Sequence, residues 1–297
     1  MRILIAGASG LVGSSLAAAY REEDVLALRH RELDITDARA VEERVRRAAP
    51  DVIFNCAVIG VDECEDDPAL AERVNVAGPA ALARAAETVG ATIVHFSTNY
   101  VFDGHRTDSR LYTTADEPHP VNVYGETKVR GERAVLAAAS RALVVRTSWV
   151  FGPGKNSFLS TVADRLRRGE RVEAIADTFA STTYVGDLTA RVMELVQRGA
   201  YGLHHAVNDG VCSYESFALE AARVVGAPET LIERASEASL RRRAPRPRWT
   251  PMECAPPLRS WQEALRAAIG DVALADAVVL SGAPGSQPGG TRENSPG

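Results

Sequence analysis

Lysine is nearly missing from this chain. Of its 34 lysine and arginine residues only two, Lys128 and Lys155, are lysine. Arginine stays charged and planar, whereas lysine can shift its pKa and give up a proton, so each retained amine asks for a reason. Cysteine is scarce as well: Cys56, Cys64, Cys212 and Cys254 are scattered, with no C-x-x-C pair. That argues against a disulfide framework or a zinc site and makes reduced thiols the default. No His/Cys/Asp cluster has metal-ligand spacing, so no obligatory metal is expected. No apolar run approaches the length of a membrane span, and the N-terminus has no long apolar signal segment. The expectation is a cytoplasmic protein without a membrane partner. A net charge of −5 leaves no general footprint for nucleic acid.

What the chain does have is an alternation of apolar runs and helical periodicity. Apolar runs at 2–6, 24–28, 51–55, 92–97 and 142–146 alternate with helical patterns at 11–20, 37–49 and 78–89. This spacing predicts an α/β fold with a doubly wound parallel sheet. Ligands of such sheets bind beyond the carboxyl ends of the strands. The first loop, Asn55, Thr98 and the start of the helix at Tyr124 would share that rim. After residue 152 the pattern loosens into helices at 157–168, 185–197 and 214–225 and short strands at 171–175 and 202–205. These read as a smaller substrate-binding lobe over the rim, closed by an amphipathic helix at 260–269. The division expected is 1–152, 153–270 with some interleaving, and a tail at 271–297. The tail is Gly/Pro/Ser-rich from about residue 282 and is expected to be disordered.

Two motifs carry chemistry. Gly7-Ala8-Ser9-Gly10-Leu11-Val12-Gly13 joins the first strand to the first helix, the context of a dinucleotide fingerprint. Gly7 permits the tight turn, Gly10 a close approach to a pyrophosphate, and Gly13 close packing of helix on strand. Phosphates would sit at the helix N-terminus, where free N–H groups and the dipole favour an anion. Beyond the second strand, Arg29 and Arg31 favour the 2′-phosphate of NADPH, while Glu32 and Asp34 keep NADH open. The second motif is Tyr124-Gly125-Glu126-Thr127-Lys128, a tyrosine and one of the two lysines on one helix face. An ammonium beside a phenol lowers the phenol pKa and prepares it for acid–base work near neutrality. The arginines at 241, 242, 243, 246 and 248 are either a solvated loop or a contact for a diphosphate.

Together the Gly7/Gly10/Gly13 loop, Thr98, Tyr124 and Lys128 resemble an extended short-chain dehydrogenase/reductase over roughly residues 1–270. The nearest likeness is the dTDP-4-dehydrorhamnose reductase group, carried by Asn55-Cys56-Ala57, Val61-Asp62-Glu63-Cys64-Glu65 and Val74–Pro79. Ser97–Gly104, His119–Lys128, Arg146–Gly152 and Arg246–Glu253 carry it further. The resemblance implies a Rossmann fold and NADPH-dependent reduction of the C4 ketone of a nucleotide-linked 4-keto-6-deoxy sugar. Thr98 would hydrogen-bond the carbonyl oxygen, Tyr124 would protonate it, and Lys128 would tune Tyr124 and hold the nicotinamide ribose. Cofactor contacts are then expected from Gly7, Ser9, Gly10, Leu11, Val12, Gly13, Arg29, Arg31, Asp34, Ile35, Cys56, Ala57, Asn75, Tyr124 and Lys128. Substrate contacts are expected from Thr98, Asn99, Val101, Phe102, Tyr124, Trp149, Asn156 and Arg246, with core packing an equal alternative for Trp149. The partner is a nucleotide sugar, and a homodimer is compatible with the likeness.

The chain departs from the family pattern at Asn99, usually aspartate, across 177–183, and at Thr250 and Met252. These positions surround the substrate, so the exact sugar stays open. A 4,6-dehydratase needs an acidic pair after the threonine, and Asn99-Tyr100 cannot supply it. A C4 epimerase and a non-catalytic NADP-binding subunit remain alternatives.

Overall fold

Strands covered by helices on both faces need near-continuous apolar runs, and the main sheet is built from such runs. In the computed structural model, which describes residues 1–270, β1 (Arg2–Ala6) leads into α1 (Leu11–Ala19). Then follow β2 (Asp24–Leu28), α2 (Ala38–Ala48) and β3 (Val52–Asn55). Two short helices, α3 (Val61–Asp66) and α4 (Pro68–Glu72), and a π-helical turn at Arg73–Ala77 lead on to α5 (Gly78–Val89). Next come β4 (Thr92–Thr98), α6 (Val123–Ala138) and β5 (Ala142–Thr147). The remainder contains β6 (Val150–Phe151), α7 (Phe158–Arg167), β7 (Val172–Ile175), β8 (Phe179–Ala180), β9 (Thr183–Tyr184) and α8 (Val185–Gln197). It ends with β10 (Gly202–His205), β11 (Cys212–Ser213), α9 (Tyr214–Val225), β12 (Ile232–Ala235), β13 (Trp249–Thr250) and a helix at 261–270. The expected tail lies outside the described residues.

Six parallel strands form the main sheet in the order β10-β5-β4-β3-β1-β2. Strand order reverses between β1 and β3, which opens a crevice at their carboxyl ends. The register sets Ala6 opposite both Leu28 and Asn55, Asn55 opposite His95, and Thr98 opposite Thr147. Alternate residues face opposite layers. Leu4, Ile53, Ile93 and Val144 pack under α2 and α5, while Ile3, Ile5, Phe54, Val94 and Val145 meet Leu16 of α1.

Two segments expected in the smaller lobe belong here instead. β10 extends the main sheet beside β5, and α8 inserts Leu188, Val192 and Leu195 into the layer containing Leu16. The apolar stripe of α8 finds its matching surface on the sheet, and this decides its place. The other late elements form small sheets, β11-β8-β13, β12-β7 and β6-β9. They surround a separate core of Phe151, Leu166, Phe217, Ala221, Trp261 and Leu265.

Candidate active site

The glycine loop is fixed from two sides. Gly7 and Ala8 both donate their N–H to Leu28 O at 3.0 Å, pinning the loop to the end of β2. Gly7 has φ 79°, and a Cβ there would lie 2.6 Å from Ala57 N, so only glycine fits. A Cβ on Gly13 would come within 2.5 Å of Gly7 O. Gly10 differs: a Cβ would meet only Gly7 O, at an ordinary 3.5 Å, so the protein's own packing does not demand glycine there. The start of α1 has no side-chain cap, which leaves its N–H groups available to an anion.

Arg29 and Arg31 are exposed beside this loop, and neither guanidinium has a hydrogen-bonded partner among the described residues. The nearby carboxylates are engaged. Glu32 Oε2 accepts the Arg29 N–H at 2.9 Å, and Asp34 Oδ1 accepts the Thr36 N–H at 2.9 Å and hydroxyl at 2.8 Å. The Thr36 N–H, helped by its hydroxyl against a small burial effect, holds Asp34 below its ordinary pKa. Ser9 is exposed on the loop; Leu11, Val12, Cys56 and Ala57 are half-buried around it. Two side chains expected at the cofactor lie in the core. Ile35 fills the space over Gly78, and Asn75 donates to Thr127 Oγ1 at 3.1 Å and Cys64 Sγ at 3.5 Å. Both are needed for packing the layer behind the loop.

Two of the residues expected to be catalytic, Thr98 and Tyr124, sit at the meeting of β4 and α6. Asn122 caps α6, its Oδ1 accepting the Gly125 N–H at 2.7 Å. Gly125 allows Tyr100 O so close that a Cβ would lie 2.2 Å from it, and the Tyr100 ring meets Tyr124 edge-on at 6.0 Å. Thr98 ends β4; its hydroxyl accepts the Tyr100 N–H at 3.1 Å, donates to Asn99 Oδ1 at 3.3 Å, and draws the pKa of the neighbouring Tyr124 phenol down. Thr98 and Tyr124 are therefore brought together as expected.

Lys128, one turn on from Tyr124 along α6, reaches the backbone and a histidine of β4. Its Nζ donates to Phe96 O at 2.7 Å and lies 3.3 Å from His95 Nε2. Burial pushes the Tyr124 phenol above its ordinary pKa, only partly offset by Thr98, and Lys128 is not among the groups that shift it. The lysine itself is lowered to about 8 by burial, against the upward pull of Glu132, Cys64 and Cys56. At the phenol, burial outweighs the neighbouring groups. His95 and Tyr100 were missed in the sequence. A histidine within the apolar Thr92–Thr98 run, in register with Asn55, was the available signal.

Just past the end of β5, from Trp149 onward, lies a cavity of about 390 Å³. Trp149, Phe158 and Tyr214 supply aromatic walls, Lys155 and Arg242 positive charge. Trp149 has φ 41°, a strained value for a non-glycine residue, packs tilted against Tyr214 at 4.1 Å, and its Nε1–H has no partner among the described residues. Asn156 is exposed, and the cavity is lined by its neighbours Lys155 and Ser157. Val101 and Phe102 are wholly buried, Phe102 stacked on Tyr112 at 4.0 Å, so they support the site from behind rather than face a substrate. Asn99 is buried too, its Nδ2 donating to Thr250 Oγ1 at 2.6 Å, so two departures from the family pattern touch each other. The arginine stretch is not a free basic patch. Arg246 pairs with Asp62 at 2.8 Å, Arg242 with Glu237 at 2.8 Å, Arg248 with Asp177 at 3.2 Å, and Arg243 with Asp66.

Residues 1–274 match the model of the RmlD substrate binding domain. The chain belongs to that family. A dTDP-4-dehydrorhamnose reductase of Mycolicibacterium smegmatis is 41% identical over 283 residues, covering 91% of this chain and 86% of that protein. A probable dTDP-4,6-dihydroxy-2-methyloxan-3-one 4-ketoreductase of Streptomyces antibioticus is 38% identical, covering 93% and 97%. Among solved structures, the dTDP-4-dehydrorhamnose reductase of Bacillus anthracis in complex with NADP aligns with TM-score 0.85 and 31% identity, covering 91% of this chain and 99% of that one. Like these relatives, this RmlD-family chain has a Rossmann-type α/β fold. Among the described residues no helix is long and apolar enough to cross a membrane.

Proposed function

We propose that this RmlD-family chain is an NADPH-dependent reductase of the C4 ketone of a dTDP-linked 4-keto-6-deoxyhexose. The observation that carries it is the Thr98 hydroxyl set beside the Tyr124 phenol at the carboxyl end of β4, on the rim that also holds the glycine loop. Relatives named as reductases of dTDP-linked keto sugars support the substrate class. NADPH, when bound, supplies the hydride. Gly10, the uncapped start of α1, and Arg29 and Arg31 would hold its phosphates; engagement of Glu32 and Asp34 elsewhere weakens the case for NADH. Tyr124, kept protonated by burial, gives its proton to the sugar oxygen, and Thr98 donates a second hydrogen bond as charge builds there. The cavity of Trp149, Tyr214 and Lys155 takes the nucleotide, aromatic faces for the base and Lys155 for the diphosphate, while Arg242 at its wall is held by Glu237. On this reading 1–152 is chiefly cofactor-binding and 153–270 chiefly substrate-binding, with α8 and β10 returned to the sheet.

The test is NADPH oxidation with dTDP-4-keto-6-deoxy sugars, before and after 3,5-epimerisation, by the full chain and its Tyr124→Phe variant. Sugar-dependent oxidation falling about 10²–10⁴-fold in the variant is expected, with NADPH binding retained. A cofactor that binds but is never consumed by any of these sugars would sink the proposal.

A further inference from the structure

His95 is wholly buried on β4 and touches polar groups on both sides. Asn55 Nδ2 lies 3.1 Å from its Nδ1, and Lys128 Nζ lies 3.3 Å from its Nε2. The asparagine cannot be turned around without loss, because its Oδ1 accepts the Ala57 N–H at 3.2 Å. Nδ1 of His95 must therefore accept the amide hydrogen, and a neutral ring then carries its own hydrogen on Nε2. Burial, with the adjacent lysine charge, holds the ring neutral by pushing its pKa far down.

That hydrogen points at Lys128. An ammonium there has one good acceptor, Phe96 O at 2.7 Å, and faces a donor on its other side. A neutral amine satisfies everything: it donates to Phe96 O and accepts from Nε2–H. We infer that Asn55 and His95 are positioning residues which lower the proton affinity of Lys128 by presenting it with a ring N–H in place of a lone pair. Burial lowers the lysine as well, and the ring N–H acts beside it; the other groups around the lysine do not. The Cys56 and Cys64 thiols are kept neutral by burial, and Glu132, tied to Arg146, pulls the lysine upward. Tyr124, one turn away, is kept as the neutral phenol by burial. The value for catalysis, which alone rests on the reductase reading, is a lysine that releases its proton readily near neutral pH.

Having two lysines makes the test direct. Full-length protein carrying 13C,15N-lysine should give two side-chain titrations, and Lys155→Arg identifies which belongs to Lys128. Its midpoint is expected near 8. His95→Gln can turn a carbonyl toward the ammonium, and Asn55→Asp lets His95 carry its hydrogen on Nδ1 and accept at Nε2. Each should raise the midpoint by roughly one unit or more, and the basic limb of kcat for reduction should move upward with it. In 15N-histidine-labelled wild type, His95 should show a protonated Nε2 and a bare Nδ1. A proton on Nδ1, or an unmoved lysine midpoint in both folded variants, overturns the inference. The titrations need no substrate, so their success beside absent sugar reduction would support this device while refuting the reductase.

Discussion

Arg146 illustrates how much a single side chain can hold. It lies near the end of β5 between Ser97 and His205, and its side chain is 2% exposed. Glu132, one turn beyond Lys128 on α6, accepts from Nε at 2.8 Å and Nη2 at 2.7 Å. The guanidinium lies 5.2 Å over the Phe102 ring, and Nη1 has no partner. Such a pair gains little net stability over an apolar substitute, yet removing one partner strands a charge in the core. Glu132→Gln is therefore expected to cost about 3–5 kcal/mol in urea unfolding. Restoring balance with Arg146→Met in the same chain should recover most of it. A loss below about 1 kcal/mol for the single change would mean that water already reaches the guanidinium.

Among the elements, α6 is positioned by what its glycines lack. A Cβ on Gly131 would lie 2.2 Å from Asn75 O, and one on Gly125 equally close to Tyr100 O. In an open helix, glycine to alanine gains about 1 kcal/mol. Here the sign should reverse: Gly131→Ala is expected to lower Tm and to reduce turnover by displacing Tyr124 and Lys128 from β4. An unchanged Tm would show that the π-helical turn yields without cost. This close approach explains which parts of the molecule could be read beforehand. β1 to β5 were legible because buried parallel strands are apolar runs, and α1, α2 and α5 because their periodicity marks them, α5 also by its glycine stop at Gly90. β10 was not legible as part of the main sheet, since Gly202-Leu203-His204-His205 has no apolar run to show that it is paired. Tyr124 and Lys128 stood out by spacing and Thr98 by the family resemblance, but their partners could not be read. That Lys128 meets His95 and Phe96 O rather than the phenol depends on the register of β3 on β4 and on how deeply α6 sinks.

Across the whole molecule, a late segment ties back to the middle of the chain. Asp62 on α3 accepts the Ala244 N–H at 3.0 Å and Arg246 Nη2 at 2.8 Å, while Asn122, the cap of α6, donates to Pro245 O at 2.8 Å. Glu65 on the same short helix accepts the Val123 N–H at 3.3 Å. The start of the Tyr124 helix, α3 and the 244–246 segment are thus one connected unit. Burial alone would raise the Asp62 carboxyl, but the Ala244 and Arg246 hydrogen bonds hold it below its ordinary value. Asp177, which accepts from Ser236 and Glu237 and pairs with Arg248, is lowered likewise. A carboxyl with a depressed folded pKa stabilises the fold above its unfolded value of about 3.9 and loses that contribution as pH falls through the folded value. Stability should therefore be flat near neutrality and decline as pH drops from about 5 toward 3. Asp62→Asn removes the charge at every pH, so its difference from wild type should be largest near pH 7 and shrink in that acid window. The variant should also expose the arginines at 241–243 to trypsin sooner, with cleavage there preceding loss of the main sheet. A difference from wild type that does not change with pH would show that Asp62 holds the segment by shape and not by charge.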